Sequence, residues 1–228
     1  MATYNEIIYS IREGIRQHTS DSDIDDRQII FEFNLQRALW YRNEYNKKNT
    51  SIDDQIKQTI CLELVEASSS ECDCFDSDCT ILRTSKKIPS LLDFRDKTSI
   101  SKITFSDITG MPLSFVSYNK FPFTGNGPYN KNTVFATLHP NGHIYLKSTN
   151  ANFKFIKSIA VTAILENPLD AKEFSCDGQS CFNPNKEYPV KSHIIAYIKN
   201  IVIEGFIRQL SMPKDLINDS QENLNRPQ

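Results

Sequence analysis

Residues 24–48, IDDRQIIFEFNLQRALWYRNEYNKK, form the longest uninterrupted helical pattern in the chain and contain neither glycine nor proline. Asp25, with Gln28 three residues on, has the form of an N-cap with its capping-box partner. The short acceptor takes an orphan N–H of the first turn and the longer side chain reaches back. Phe31, Leu35, Ala38 and Tyr45 recur at helical spacing, and Ile30, Phe33 and Trp40 widen that stripe into a broad apolar arc. A helix apolar over so much of its girth is expected to be buried on more than one side, by its own domain and, in an assembly, by a partner. Arg37, Arg42, Lys47 and Lys48 read as its polar edge, gathered toward the end of the helix dipole that favours cations. The pattern predicts a central core helix with a solvated basic rim and no chemistry of its own.

Upstream, Thr3 and Glu6 form a second capping box, opening a first helix to about residue 18 with Ile7, Ile8, Ile11 and Ile15 on one face. A polar loop, 19–23, joins the two helices. Downstream the period changes from helical to alternating. Residues 59–66 read as a strand, as do 80–84, 87–94 and 100–108, with Pro89 making the third of these an edge or a bend. The run 113–123 is ambiguous. The hairpin signal is clearest at 134–147, where Asn141-Gly142 accepts the positive φ angles of a type I′ turn. A further strand is expected over 155–165. Helix returns at Pro189, a good first-turn residue, and runs to about 210 with Ile194, Ile198, Ile201, Ile203 and Phe206 as its apolar positions.

The predicted fold class is therefore α+β: an N-terminal helix pair, a β-rich middle, a C-terminal helix packing back on the helices, and an extended polar tail. The expected division is a helical region 1–50 taken together with 189–211, a β-rich domain 51–188, the C-terminal helix 189–211, and a tail 212–228. That tail is Asn-, Asp- and Gln-rich and is expected to be extended or disordered.

A net charge of -2 and a pI of about 6.1 argue against a chain whose main task is to neutralise phosphates. They are compatible with a surface past which DNA slides. The apolar runs are too short to span a membrane and residues 1–10 lack a signal-peptide charge pattern, so synthesis and folding in a cytosol are expected. Fourteen Phe and nine Tyr against seven Gly point to a substantial β component with aromatic packing.

Several groups have the residue types of a site. Asp21, Asp23 and Asp25 at alternate positions, with Glu32 at the twelfth, match most of a calcium-loop skeleton. The sixth position is Asp26, where that loop requires glycine, so acids gathered at a helix N-terminus is the favoured reading. Cys72, Cys74 and Cys79 in one loop and Cys176 and Cys181 in another only loosely match zinc spacing. Reduced thiols or a disulfide are the favoured alternatives. His139 and His143 bracket the hairpin turn as flanking residues. Lys120-Phe121-Pro122-Phe123 and Phe153-Lys154-Phe155-Ile156-Lys157 interleave aromatics with lysine as single-strand binders do, although strand residues facing alternately in and out explain them better. No nucleotide-loop, zinc-protease or nucleophile-elbow motif is present, so no catalytic, cofactor or metal residue is assigned and an enzyme is not expected.

Five blocks together carry a resemblance. Tyr4-Asn5-Glu6-Ile7-Ile8, Ser22-Asp23-Ile24-Asp25, Arg37-Ala38-Leu39-Trp40-Tyr41-Arg42-Asn43-Glu44-Tyr45-Asn46-Lys47, Ile81-Leu82-Arg83-Thr84-Ser85-Lys86-Lys87-Ile88-Pro89 and Pro213-Lys214-Asp215-Leu216-Ile217-Asn218-Asp219-Ser220 resemble a virion structural protein of crAss-like and related tailed bacteriophages. The resemblance implies a homo-oligomeric adaptor ring, twelvefold, in the head–tail connector at the portal vertex. Its neighbours would be the portal protein and other connector or tail proteins. DNA would pass through its channel without sequence-specific binding, and the chain would be made in the host cytoplasm. The better-known adaptors of short-tailed phages are mostly helical, so the β-rich middle leaves the layer within the connector open. The competing class is a phage-encoded single-stranded nucleic-acid-binding or accessory protein.

Overall fold

The computed structural model describes all residues other than 1, 19–23, 48–50, 68–80, 96–97, 106–109, 111, 126, 128–129, 131, 177 and 212–228. Two helices open the fold where the periodicity places them, α1 (Tyr4–Arg16) and α2 (Asp26–Tyr45). The Thr3–Glu6 capping box is formed in both directions, and Ile7, Ile8, Ile11 and Ile15 are all buried. At α2 the cap is Asp25, whose carboxylate accepts the Arg27 N–H at 3.3 Å. Arg12 and Asp26 form an ion pair between the two helices.

The C-terminal helix, α3 (Ser192–Ser211), packs on both. It starts three residues later than expected, because the Pro189 carbonyl is turned away to accept the Arg37 Nε–H. Its buried positions are Ile194, Ile198 and Val202, whereas Ile201, Ile203 and Phe206 are half-buried. Gly14 of α1 faces α3 so closely that a Cβ there would overlap Ile203 Cδ1. A Gly14→Leu substitution is therefore expected to wedge α1 from α3 and to lower stability by about 2 kcal/mol, the usual effect of overpacking. Chemical denaturation of the purified subunit measures it, and an unchanged midpoint would mean that the Ile203 side chain swings aside without cost.

α2 shows the main departure from the pattern. Its buried face is Ile29, Ile30, Phe33, Asn34, Arg37, Ala38, Tyr41 and Tyr45. Phe31 and Leu35, read as core, are 68% and 42% exposed, and Trp40 is only half-buried. Arg37, read as polar edge, is 0% exposed. Two lines of residues spaced by four run along this helix, and helical spacing alone does not say which one the rest of the chain covers.

The middle of the chain forms one seven-stranded sheet. Its strands are β1 (Gln58–Glu66), β2 (Ile81–Thr84), β3 (Ile100–Phe105), β4 (Ser114–Phe115), β5 (Phe135–Leu138), β6 (Ile144–Lys147) and β7 (Ser158–Ala163), in the order β3-β7-β1-β2-β6-β5-β4. All neighbours are antiparallel except β4 and β5. β1 serves two neighbours in series: 58–63 pair with β7 and 64–66 with β2. That stagger coils the sheet until its two edges meet, where Leu113 N–H donates to Ile103 O at 2.7 Å just before β4. Near-closure leaves little unpaired edge. Ile60, Leu62, Leu146, Ile159 and Val161 fill the interior.

A second core lies among the helices, and the β-rich middle of the chain contributes Ile56, Leu92, Phe94, Ile164 and Tyr188 to it. Ile164 and Leu165, adjacent and extended, point into opposite cores, as strand alternation requires. They stitch the two layers together.

Some strand assignments change. Residues 87–94 are irregular: Pro89 supplies no N–H, only Leu91 bridges to Leu165, and Leu92 and Phe94 plug the helical core instead. The ambiguous run becomes β4 followed by a 3-10 turn, Tyr118–Phe123. The strand expected from 155 begins at Ser158, after a second 3-10 turn, Ala151–Phe155. In the β5–β6 hairpin the turn is not type I′. His139 N–H donates to His143 O, and Gly142 N–H to His139 O, so Pro140 and Asn141 are the central pair. Proline's fixed negative φ forbids type I′, and only the following Gly142 needs its φ of 85°. The expected tail, 212–228, lies outside the described residues.

Candidate functional site

α2 organises the region with most of the unusual chemistry. On its inner face Arg37 donates from Nε to Pro189 O at 3.1 Å, and from Nη1 to Leu165 O at 3.1 Å and Glu166 O at 3.3 Å. Its guanidinium lies 5.3 Å from the Tyr41 ring centre. Complete burial works against the charge and lowers the Arg37 pKa, with the tyrosines Tyr188 and Tyr41 acting in the opposite sense. Carbonyl dipoles and an aromatic face stand where a carboxylate partner would be expected. One turn earlier, Asn34 is the second member of a relay with every donor pointing the same way. Tyr188 OH donates to Asn34 Oδ1 at 2.7 Å, Asn34 Nδ2 to Asn167 Oδ1 at 2.9 Å, and Asn167 Nδ2 to Asp170 Oδ1 at 2.7 Å. Hydrogen bonds in such a chain polarise one another. Burial holds the Tyr188 phenol well above its ordinary range, so it remains a donor.

The relay ends at a groove of about 430 Å³ between α2 and the 3-10 turn Pro168–Glu173. Its apolar walls are Phe31, Leu35 and Leu169, and its charged lining is Glu166 and Asp170 against Arg27. Leu39, 45% exposed, continues the α2 line Phe31–Leu35 by another turn. Burial raises the Asp170 pKa, and the neighbouring carboxylates Glu173 and Glu166 raise it further. A half-buried acid crowded by two others seeks a cation.

The other candidates are dispersed. Asp21 and Asp23 lie outside the described residues, Asp25 caps α2, and Glu32 accepts from Gln36, so the described part of the calcium pattern serves the helix. Among the described residues no three potential ligands converge on a metal position. His143 Nδ1 donates to Thr84 O at 2.8 Å, while His139 Nδ1 accepts the Asn141 N–H at 3.1 Å, so the two imidazoles serve separate hairpin contacts. Cys72, Cys74 and Cys79 lie outside the described residues. Cys176, on the small hairpin of β8 (Ser175–Cys176) and β9 (Gln179–Ser180), forms a disulfide with Cys61 of β1, their Cα atoms 5.2 Å apart. Cys181 Sγ stands 3.1 Å from Cys176 Sγ. Lys120–Phe123 sit in one 3-10 turn, and Phe153–Phe155 end another, with Ile156 and Lys157 between it and β7. Phe121 and Phe153 are buried, whereas Phe123 and Phe155 are 81% and 77% exposed.

Asn34, Arg37, Asn167, Asp170 and Tyr188 carry no motif. Their one sequence signal is a polar pair three residues apart inside an apolar arc. Cys61 carried none, being one member of an alternating strand.

Comparison with known proteins adds a second kind of observation. Residues 6–224 match the family described as phage tail ring protein 2. The chain is also 24% identical to Ring protein 2 of Bacteroides phage crAss001, an alignment that covers 97% of this chain and 98% of that protein.

Proposed function

Because the chain belongs to the phage tail ring protein 2 family, a structural ring protein of a phage, we propose that it forms a closed ring of about twelve copies in the head–tail connector beneath the portal. DNA passes through the channel of this ring without being held. The match over residues 6–224 carries this reading. The structure supports it with a helix whose second apolar line, Phe31, Leu35 and Leu39, is left 42–68% exposed by the described residues. A ring is built from head-to-tail contacts, so each subunit presents two different complementary faces. The α2 face is one of them, and the portal and neighbouring connector proteins are the partners above and below. A net charge of -2 suits a conduit wall that must not grip phosphates. The protein works as a structural part without catalysis, cofactor or metal, and it resides in the virion after synthesis in the host cytoplasm.

Imaging of intact particles tests this, with a ring density at the portal vertex expected. Absence of the protein from particles, or its spread over capsid faces, would overturn the reading. The exposed Phe123 and Phe155 beside Lys120, Lys154 and Lys157 favour a second reading, a single-stranded nucleic-acid binder. Salt-dependent retention on a DNA column would promote it. A Phe31→Ser, Leu35→Ser double variant is expected to lower the stability of the isolated subunit by only about 1 kcal/mol, since both side chains are largely exposed and each such position contributes little. It is expected to reduce incorporation into particles at least about tenfold, because apolar anchors at an interface centre dominate binding. Wild-type incorporation of this variant would show that the face is not an assembly surface.

A further inference from the structure

The ring reading requires a second face that fits the α2 groove, and the described surface offers one. We propose that the ring closes by seating Phe155 of one copy in the groove lined by Phe31, Leu35 and Leu169 of the next, with Lys154 and Lys157 meeting Glu166 and Asp170. This inference rests on the ring assignment and names the contact that makes the ring.

Phe155 is 77% exposed on a turn that is itself anchored. Phe153 of the same turn is 2% exposed in the sheet core, and Asn150 caps the turn by accepting the Asn152 N–H at 3.0 Å. An aromatic ring presented on a fixed support loses little freedom on docking, which is the property of an interface anchor. A groove of about 430 Å³ is roomy enough for one aromatic side chain and the stems of its neighbours.

The charges match as well. The groove carries two carboxylates against one guanidinium, and the knob carries two exposed lysines. Arg27 lies eight residues before Leu35 on α2, about 12 Å along the helix axis, which separates it from the carboxylate end. The crowded Asp170 carboxylate is relieved when a lysine approaches.

Direction is supplied by β7. Phe155 precedes this six-residue strand and Glu166 to Asp170 follow it. At about 3.3 Å per residue the knob and the groove stand about 20 Å apart, at opposite ends of the strand. They cannot meet within one subunit. Identical subunits joined end to groove repeat in one sense, which is the heterologous contact that generates a ring.

Zero-length carbodiimide crosslinking of purified particles, followed by peptide mass analysis, tests the contact. The expected product joins Lys154 or Lys157 to Glu166 or Asp170, and only two copies can form it. The variant Lys154→Glu, Lys157→Glu is expected to reduce incorporation into particles at least tenfold. Adding Glu166→Lys to the same chain is expected to recover at least part of that loss, Asp170 being kept because its carboxylate accepts the Asn167 Nδ2–H, with the melting temperature of each isolated subunit showing that it folds. A ring seen by imaging whose lysines link elsewhere, or whose groove holds residues 212–228 or another protein, overturns this contact and leaves the ring reading standing. Particles without any ring of this chain overturn both.

Discussion

Arg37→Ala is expected to destabilise the subunit by about 4 kcal/mol, a drop in melting temperature of about 12 °C for a chain of this size. Two effects add. The substitution empties the volume of one of the largest fully buried side chains, and it takes the donor away from the carbonyls of Leu165, Glu166 and Pro189. Buried carbonyls stripped of a partner each cost about 1–3 kcal/mol, partly recovered where the backbone relaxes. Arg37→Lys keeps the charge but loses the planar fork that reaches Pro189 on one side and the 165–166 carbonyls on the other. It is expected to fall roughly midway, since one ammonium cannot reproduce both directions. The functional consequence is separate from stability. Arg37 holds the segment after β7 against α2 and so sets the position of Glu166, while the Asn34–Asn167–Asp170 relay fixes the neighbouring groove wall. Calorimetry of wild type, Arg37→Ala and Arg37→Lys measures the series. A shift under about 2 °C for the alanine variant would place Arg37 at the surface and undo the account of α2.

Reducing the Cys61–Cys176 disulfide is expected to lower stability by up to about 4–5 kcal/mol, because the crosslink joins residues 115 apart and removes that much freedom from the unfolded chain. The bond also fastens the β8–β9 hairpin to the middle of the sheet. Wild-type protein should therefore melt at a temperature about 10 °C lower in reductant, and a Cys61→Ser, Cys176→Ser variant should melt low in both conditions. The variant keeps every other cysteine, so it isolates this pair. It must remove both partners: in a Cys61→Ser single variant, Cys176 and Cys181 would remain 3.1 Å apart. Identical melting of the wild type with and without reductant, together with a mass showing all thiols free, would remove the bond from the account.

What the sequence determined by itself is local and periodic. The α1 cap and its isoleucine face, the Asp25 cap of α2, the strand over 59–66, the hairpin over 134–147 and the α+β order, each found within a residue of those bounds, all follow from side chains within a few residues of one another. Short-range rules suffice there, because a cap or a turn is stabilised by its own neighbours. The turn type was missed even so, since Pro140 outweighs Asn141-Gly142 in fixing φ. What only the tertiary structure decided is which side of each element is covered. α2 has two lines of large residues, Phe31–Leu35–Leu39 and Phe33–Arg37–Tyr41–Tyr45, each at helical spacing. By hydropathy the first is the better core, yet the second is buried. The reason is 128 or more residues away: the carbonyls of Leu165, Glu166 and Pro189 need a donor, and a guanidinium on α2 supplies it. Partners so distant in sequence leave no trace in a local window, so Arg37 reads as rim and Phe31 as core. The pairing of Cys61 with Cys176 and the gathering of Asn34, Asn167 and Asp170 at one groove have the same origin. They depend on how the coiled sheet sets the end of β7 against the helices, and that follows from the packing of two cores rather than from any one stretch of chain.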